Sequence, residues 1–133
     1  MSVSVIIPAL NEEGTVADVV RACLADNPLE VLVIDADSSD ATASRAAAAG
    51  ADVHNWRDIL PVEPRPGKGE SLWRGVAAAK GDIVVFVDAD LESAAPGMVT
   101  ALADPFADPA VEMVKARYLS LIHISEPTRQ EAI

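Results

Sequence analysis

The sequence predicts an α/β fold in which helices flank a mostly parallel sheet. Short, uninterrupted runs of β-branched and other apolar residues recur along the chain, at residues 3–7, 31–34 and 83–87. Such runs are typical of strands that are buried on both faces. Segments with apolar residues at helical spacing lie between them, and polar loops follow the strands. Strands that alternate with helices indicate a parallel sheet with right-handed crossovers.

The first strand, residues 3–7, ends at Pro8, and we expect a helix to follow it. Glu12 and Glu13 are predicted to open this helix, because negative charge in the first turn complements the helix dipole. The helix is expected to end near Asn27 and Pro28. Its buried face repeats at helical spacing and comprises Val16, Val19, Val20, Cys23 and Leu24.

The second strand, residues 31–34, leads into a polar loop at residues 35–40, whose oxygen-bearing side chains favour turns and helix N-caps. Asp40 is the predicted N-cap of a second helix over residues 41–49, and Gly50 is its predicted C-cap. We also expect residues 51–55 to form a third strand, although their apolar pattern is weaker.

Prolines and glycines between positions 61 and 69 make the next stretch a loop. Residues 71–79 then form a predicted helix that Lys80 and Gly81 close, and residues 83–87 are the clearest strand of the chain. We expect another helix from Pro96 to Ala103 and a final strand over residues 111–114.

The composition indicates one packed domain. A chain of 133 residues, of which 50% are hydrophobic, buries about two-thirds of its unfolded surface. No apolar stretch approaches the roughly 20 residues of a membrane span, and no charged leader precedes the first strand, so the expected location is the cytoplasm. The single Cys23 cannot form an internal disulfide, and we interpret it as a small core residue.

The charge distribution favours a small phosphorylated ligand over nucleic acid. A formal net charge of −11 opposes duplex binding, which depends on clustered lysine and arginine. Residues 57–80 nevertheless concentrate half of the basic side chains, namely Arg57, Arg65, Lys68, Arg74 and Lys80. We therefore expect one local positive patch on an acidic surface.

The end of the chain differs in character from the rest. Residues 119–133 contain the only glutamine and resemble translated adapter or vector sequence. We expect residues 1–118 to be the native, truncated domain and residues 119–133 to be a foreign tail, in which His123 has no catalytic role. The alternative is a natural extension of a strand.

Asp88 and Asp90 follow the clearest strand and are separated by one small residue, Ala89. Ligands of an open α/β sheet bind outside the carboxyl ends of its strands. Carboxylate oxygens at that place suit Mg²⁺ or Mn²⁺, which also bind the phosphates of a substrate. The alternative is a pair of ordinary turn residues, with Asp90 capping the next segment.

Three further loops carry groups that can bind a ligand. Residues 8–13 follow the first strand, and Asp35 and Asp37 can face a ligand at the end of the second. Residues 65–70 combine glycines with Lys68 and a following helix N-terminus, as phosphate sites do. Their spacing fits neither a P-loop nor a dinucleotide fingerprint. Helix-start charges at residues 12–13 and a plain surface turn at residues 65–70 are the alternatives.

Together these motifs resemble the nucleotide-sugar-binding half of GT-A glycosyltransferases of family 2. The likeness rests on VIIPALNEE at residues 5–13, on residues 33–42, and on GDIVVFVDADL at residues 81–91. The segment PRPGKGESLWR at residues 64–74 is similar to a subfamily, the glucosyl-3-phosphoglycerate synthases, and residues 114–118 continue this likeness. The resemblance implies a Rossmann-like GT-A sheet and a metal-dependent, retaining transfer of glucose from UDP-glucose to 3-phosphoglycerate.

The resemblance also implies site residues. Asp90 would be the main ligand of Mg²⁺ or Mn²⁺ with Asp88 beside it, and Asp90 and Lys68 would be the catalytic residues. Asp37 departs from the family pattern because such loops commonly carry glycine there, and Ala36 offers no polar side chain. The implied nucleotide-sugar-binding set is Pro8, Ala9, Leu10, Glu12, Asp35, Ala36, Asp37, Ser38, Gly67, Lys68, Asp88, Ala89 and Asp90.

Other functions remain open at this point. A family 2-like enzyme with another sugar or acceptor is one alternative. A nucleotidyltransferase is another, although its glycine-rich lysine loop typically follows the first strand, where this chain has PALNE. A noncatalytic nucleotide-binding module is the third. The expected partners are a UDP-sugar, a phosphorylated acceptor bound by residues beyond 118, and a second copy of the chain in a homodimer.

Overall fold

Four parallel strands form a single sheet in the order β3-β2-β1-β4. The computed structural model describes residues 1–116. The strands are β1 (Val3–Ala9), β2 (Glu30–Asp35), β3 (Asp52–Asn55) and β4 (Ile83–Phe86). The helices are α1 (Val16–Leu24), α2 (Thr42–Ala48), α3 (Lys68–Ala78) and α4 (Met98–Ala103), with short 3-10 turns at Trp56–Asp58 and Asp104–Ala107. The predicted α/β fold with a parallel sheet is confirmed.

Helices cover both faces of the sheet, so its central strands are apolar on both sides. Val5 and Ile7 of β1 face the cluster that α1, α2 and α4 complete. Ile6, on the opposite face, packs with Leu32 and Ile34 beneath α3. Alternate side chains of a strand point to opposite faces, which explains why this strand shows no alternation of polar and apolar residues.

Helix α3 lies very close to the sheet because Gly75 faces β1. A Cβ atom at this position would come within 2.5 Å of Ile6 Cγ2 and 3.3 Å of Ile34 Cγ1. Only a residue without a side chain permits this approach. The packing therefore sets the distance of α3 from the sheet, and with it the place of the helix N-terminus at Lys68.

The starts of all four helices described differ from the prediction, that of α4 only by two residues, since it begins at Met98 instead of Pro96. Helix α1 begins at Val16, so Glu12 and Glu13 precede it, and the Glu12 carbonyl accepts hydrogen bonds from Thr15 and Val16. Ala41, not Asp40, is the N-cap of α2, although the Asp40 carboxylate does accept the Thr42 N–H at 2.9 Å. Helix α3 begins at Lys68 instead of residue 71, so its first turn includes Gly69 despite the low helix propensity of glycine.

The last predicted strand is wrong. Residues 111–114 have no regular secondary structure, and Val111 N–H instead bonds back to Asp108 O at 3.0 Å in a turn. A short apolar run becomes a strand only where a neighbouring strand takes up its backbone hydrogen bonds, and within residues 1–116 it finds none. The expected foreign tail, residues 119–133, lies outside the described residues.

The interior confirms the interpretation of Cys23. It is a free thiol, fully buried on α1 with Val16, Val19 and Val20. Burial raises its pKa from 9.0 to about 12, and the charge of Asp26 adds to the effect. Within residues 1–116 no helix is long and apolar enough to cross a membrane.

Candidate functional site

A cavity of about 220 Å³ opens at the carboxyl ends of the strands. It combines most of the residues that the sequence pointed to and adds two that it did not, Trp56 and Ser71. The predicted residues Asp35, Asp37 and Ser38 lie outside its lining. The lining residues are Pro8, Ala9, Leu10, Glu12, Ala36, Trp56, Gly67, Lys68, Ser71, Asp88, Ala89 and Asp90.

The loop after β4 presents two exposed carboxylates to this cavity. Its backbone is held in place between them, because Ala89 is buried and its carbonyl accepts the Thr15 hydroxyl at 2.8 Å. Asp88 Oδ1 accepts a charge-assisted hydrogen bond from Lys68 Nζ at 2.6 Å. The Asp90 side chain makes no hydrogen bond or ion pair with any residue of 1–116. Its charge is available to a ligand.

The N-terminus of α3 points at the same space. Gly67 is the N-cap with φ +116°, a conformation that glycine adopts without strain, and no side chain caps the helix. The first N–H groups of an 11-residue helix thus lie beside the Lys68 ammonium. Uncapped N–H groups and the helix dipole make such an end a binding site for anions, phosphate in particular.

The loop after β1 forms a third wall, and its backbone is tied to the neighbouring loop. Asn11 adopts φ +54°, its N–H donates to Ser38 Oγ at 2.9 Å, and its side-chain oxygen accepts the Ser39 N–H at 2.8 Å. The Glu12 N–H donates to Thr42 Oγ1 at 2.8 Å. These bonds hold Leu10 and Glu12 at the cavity, with the Leu10 side chain exposed and that of Glu12 half-buried.

The loop after β2 uses its polar groups internally. Asp35 is buried and accepts the Ser38 N–H at 3.1 Å. Asp37 accepts hydrogen bonds from Asn55 Nδ2 at 3.1 Å and Arg57 Nε at 2.8 Å, and Arg57 also pairs with Glu63. The hydrogen bond from Asn55 lowers the pKa of Asp37, and the nearby Trp56 indole N–H and the Arg57 guanidinium lower it further. The exposed carboxylate turns toward β3 and away from the cavity.

The departure of Asp37 from the family pattern has a conformational explanation. Its φ is +63°, in the left-handed region where glycine is the common choice and aspartate is one of the tolerated side chains. The backbone therefore keeps the shape that glycine would give. The added carboxylate forms an ion pair with Arg57 and accepts a hydrogen bond from Asn55, and it does not line the cavity.

Trp56 and Ser71 were missed by the sequence analysis, although a signal for each was present. Trp56 directly follows β3, as the other candidates follow β1, β2 and β4. Ser71 lies three positions after Lys68, one helical turn along α3 on the same face. Trp56 is buried, and its indole nitrogen lies near Asp37 without a hydrogen bond of ordinary geometry within residues 1–116.

A larger depression of about 380 Å³ lies at the opposite end of the strands, around Asp26, Leu29 and Thr100. It is a poorer candidate because it offers no lysine or arginine side chain among its lining residues. The Asp26 carboxylate is also fully engaged, since it accepts the N–H groups of Gly97 at 2.7 Å and Thr100 at 3.0 Å. Chemistry, and not size, identifies the strand-end cavity as the site.

The donor set of the strand-end cavity fits a divalent cation that is bound together with a ligand. Asp88 and Asp90 supply carboxylate oxygens, and no group of three or more histidine, cysteine, aspartate or glutamate side chains occurs among the described residues. A hard cation such as Mg²⁺ or Mn²⁺ is typically held by one or two carboxylates, with phosphates and water completing its coordination. A cation held by protein ligands alone would need more side chains than these two carboxylates.

The fold and the site define a class of protein, and comparison with known families agrees. The chain belongs to glycosyl transferase family 2, whose family model matches residues 4–124. Among curated proteins it is 42% identical over 132 residues to the glucosyl-3-phosphoglycerate synthase of Mycobacterium tuberculosis, covering 96% of this chain and 41% of the relative. The glucosyl-3-phosphoglycerate synthase of Petrotoga mobilis is 39% identical over 126 residues, covering 89% of this chain and 39% of the relative.

Solved structures lead to the same group of enzymes. The Mycobacterium tuberculosis glucosyl-3-phosphoglycerate synthase in complex with UDP aligns with a TM-score of 0.75 and 45% identity, over 80% of this chain and 40% of that one. Its complex with Mn²⁺, UDP-glucose and phosphoglyceric acid aligns with a TM-score of 0.74 and 46% identity, over 79% of this chain and 39% of that one. The expected GT-A fold and family are confirmed. The chain spans about two-fifths of the length of these relatives.

Proposed function

We propose that this chain forms the nucleotide-sugar-binding part of a metal-dependent, retaining glycosyltransferase, which in full length transfers glucose from UDP-glucose to 3-phosphoglycerate. The observation that carries the proposal is the convergence of Lys68, the uncapped start of α3 and the carboxylates of Asp88 and Asp90 on one cavity. Positive groups and a cation site side by side are what a diphosphate bound to a divalent cation requires.

The order of the strands indicates how the donor would lie. Asp88 and Asp90 follow β4 at one side of the sheet, whereas Ala36 and Trp56 follow β2 and β3 at the other. We place the diphosphate at the first side, with Gly67 and Lys68, and the nucleoside at the second. Pro8, Ala9, Leu10 and Glu12 would contact the uridine between them. Within the β2 loop, Ala36 would line this wall, while Asp35, Asp37 and Ser38 would hold its shape.

Asp90, with Asp88 beside it, would hold Mg²⁺ or Mn²⁺, and the existence of a solved relative in complex with Mn²⁺ and UDP-glucose supports this proposal. When bound, the ion supplies electrostatic stabilisation of the negative charge that develops on the departing diphosphate. Lys68 contributes to the same stabilisation from the protein side. Its ammonium lies 2.6 Å from Asp88 Oδ1, and this closeness to the proposed cation site supports the role.

The acceptor and the location of the protein are further parts of the proposal. Phosphoglyceric acid is bound by the solved relative, and we propose 3-phosphoglycerate as the acceptor here. The residues that would orient it have no counterpart among the site residues of this chain. We propose a cytoplasmic location because both substrates are charged and do not cross a bilayer unaided. Whether two copies form a homodimer stays a prediction.

Isothermal titration calorimetry of the 133-residue chain tests this function. UDP and UDP-glucose are titrated with and without Mn²⁺, and a nucleoside triphosphate serves as the competing ligand class. We expect Mn²⁺-dependent binding of UDP and UDP-glucose. A preference for the triphosphate would favour a nucleotidyltransferase, and binding that ignores Mn²⁺ would favour a noncatalytic nucleotide-binding module.

We also expect this chain to bind the donor weakly and to transfer glucose slowly or not at all. Catalysis depends on holding donor and acceptor in a reactive geometry, and this chain spans only about two-fifths of the length of its relatives. A radiolabelled UDP-glucose assay with 3-phosphoglycerate measures the transfer. Turnover by residues 1–118 at the rate of a full-length relative would contradict this part of the proposal.

A further inference from the structure

Arg74 is a charged residue, yet its side chain is shielded from solvent. Its side chain is the largest of those fully buried, with 1% of its surface exposed. The guanidinium donates from Nε to Glu70 Oε2 at 2.7 Å, and from Nη1 to the carbonyls of Trp56 at 2.8 Å and Leu60 at 3.2 Å. Nη2 donates to the Val62 carbonyl.

The three carbonyls come from one stretch of chain, residues 56–62. The Trp56 carbonyl belongs to the 3-10 turn Trp56–Asp58, and the stretch after this turn has no regular secondary structure, so the Leu60 and Val62 carbonyls have no partners in a ladder or helix. A buried arginine is costly unless its donors are satisfied. Arg74 meets that condition by binding the loop, which fixes the shape of the loop in return.

This loop and helix α3 form two walls of the strand-end cavity. Trp56, at the start of the loop, lines the cavity, and so do Gly67, Lys68 and Ser71 from the start of α3. Arg74 lies one turn beyond Ser71 on the same helix. It does not line the cavity itself. Its hydrogen bonds connect the two walls from behind.

The two walls depend on Arg74 to different degrees. Helix α3 is held by the close contact of Gly75 with Ile6 and Ile34, which does not involve the guanidinium. The loop is anchored in the apolar cluster by Trp56 and by the half-buried Ile59, whereas Val62 is exposed and the rest of the loop relies on the guanidinium, which binds three of its carbonyls. Loss of Arg74 would therefore move Trp56 more than Lys68.

We propose that Arg74 is a positioning residue of the nucleotide site, which sets the Trp56 wall against the fixed N-terminus of α3. This inference rests on the proposed function. Arginine suits the role because its planar fork offers five donors, whereas lysine offers three from one point. Arg74 therefore shapes the nucleoside side of the cavity and leaves the diphosphate side unchanged.

The test uses tryptophan fluorescence in the full 133-residue chain. The chain has two tryptophans, and Trp73 is 64% exposed on α3, so Trp73→Phe leaves Trp56 as the only tryptophan, which excitation at a wavelength that tyrosine does not absorb observes selectively. In this background, Arg74→Lys should shift the Trp56 emission to longer wavelength and increase its quenching by acrylamide. A matched control is Arg21→Lys, since Arg21 is exposed on α1 and bonds only to Asp18 among the described residues.

Ligand titrations separate positioning from general damage. We expect Arg74→Lys to weaken binding of UDP with Mn²⁺ by about tenfold, the factor that corresponds to 1.4 kcal/mol. Binding of inorganic pyrophosphate with Mn²⁺ should change less than twofold. Unchanged UDP affinity in a folded Arg74→Lys variant, or an equal loss for both ligands, overturns the proposal.

A milder variant covers the case in which Arg74→Lys does not fold. Glu70→Ala keeps the three carbonyl contacts but removes the carboxylate that orients Nε. We expect Glu70→Ala to weaken the affinity for UDP by about threefold and to leave the affinity for pyrophosphate unchanged. An equal loss of affinity for both ligands, or no loss for either, would count against the role of Arg74. If the unsubstituted chain binds neither UDP nor pyrophosphate with Mn²⁺, the proposed function itself fails. If it binds both, only the Arg74 assignment is at stake.

Discussion

The loops after β4 and β2 both carry two aspartates at the same edge of the sheet, yet they use them in opposite ways. Asp90 has no partner within residues 1–116, and Asp88 is paired only with the mobile side chain of Lys68. Asp35 accepts a hydrogen bond from Ser38, and Asp37 accepts hydrogen bonds from Asn55 and Arg57. A carboxylate at a strand end is thus a candidate ligand only where neighbouring residues leave its oxygens available.

The largest effect should come from the β4 loop. Asp90→Ala should abolish Mn²⁺-dependent binding of UDP, a loss beyond the roughly 100-fold that removal of an outer-shell partner costs a metal site. The Asp90 carboxylate is exposed and makes no hydrogen bond or ion pair with another described residue, so the loss would come from the metal site and not from the fold. Calorimetry with and without Mn²⁺ measures the loss.

Asp104→Asn is the control for this variant. Asp104 is exposed, lies at the other end of the molecule, and makes no side-chain hydrogen bond within residues 1–116. Unchanged UDP affinity in Asp90→Ala would remove the metal assignment and, with it, the contrast between the two loops.

Lys68→Ala should act in two directions. UDP binding should weaken by about tenfold, because charge-assisted hydrogen bonds contribute about 1.5–3 kcal/mol. Binding of Mn²⁺ alone should tighten a few-fold, since Asp88 loses a competing cation and an exposed ion pair contributes at most about 1 kcal/mol. Electron paramagnetic resonance of free Mn²⁺ measures the second effect.

Lys80→Ala is the matched control for Lys68. Lys80 is exposed beyond the far end of α3, and its side chain has no partner among the described residues. Weaker binding of Mn²⁺ alone in Lys68→Ala would show that Lys68 supports the cation site instead of competing for it.

In the β2 loop, Asp37→Asn should change UDP affinity less than about threefold, because an exposed ion pair is worth little and this one faces β3. The same calorimetric titration applies. A loss comparable to that of Asp90→Ala would show that Asp37 reaches the ligand, as the sequence analysis expected, and would end the contrast.

The smallest effect should appear in the core beneath both loops. Folding raises the pKa of Cys23 from 9.0 to about 12, so its contribution to stability is complete below pH 9 and is lost as the pH rises toward 12. Between pH 8 and pH 10.5 the melting temperature should therefore fall further in the unsubstituted chain than in Cys23→Ala. Rapid reaction of the native thiol with Ellman's reagent at pH 8 would contradict this burial.

The two central strands were predicted from one property. Val5–Ile7 and Val31–Ile34 are apolar at every position, because helices cover both faces of the sheet. Helix starts were predicted less well. The chain before α1 forms a turn whose N–H groups bond to Ser38, Thr42 and Asp40, residues distant in sequence, and no local pattern reveals such partners.

The site divides in the same way. The strand-end rule identified Asp88, Asp90, Lys68 and residues 8–12, all of which line the cavity except Asn11. The same rule could not distinguish Asp37 from Asp90, because the difference lies in Arg57 and Asn55, which reach Asp37 from another strand. It also passed over Trp56, whose place in the wall depends on hydrogen bonds from Arg74, 18 residues away.

By itself, the sequence determined the class of fold, the order of its elements and the chemistry available at the ends of the strands, since apolar runs and turn residues act over short distances. Only the tertiary structure decided which of those groups stay available to a ligand. That decision depends on hydrogen bonds between segments far apart in the chain, and a carboxylate satisfied by the protein has little left to offer a metal ion or a nucleotide.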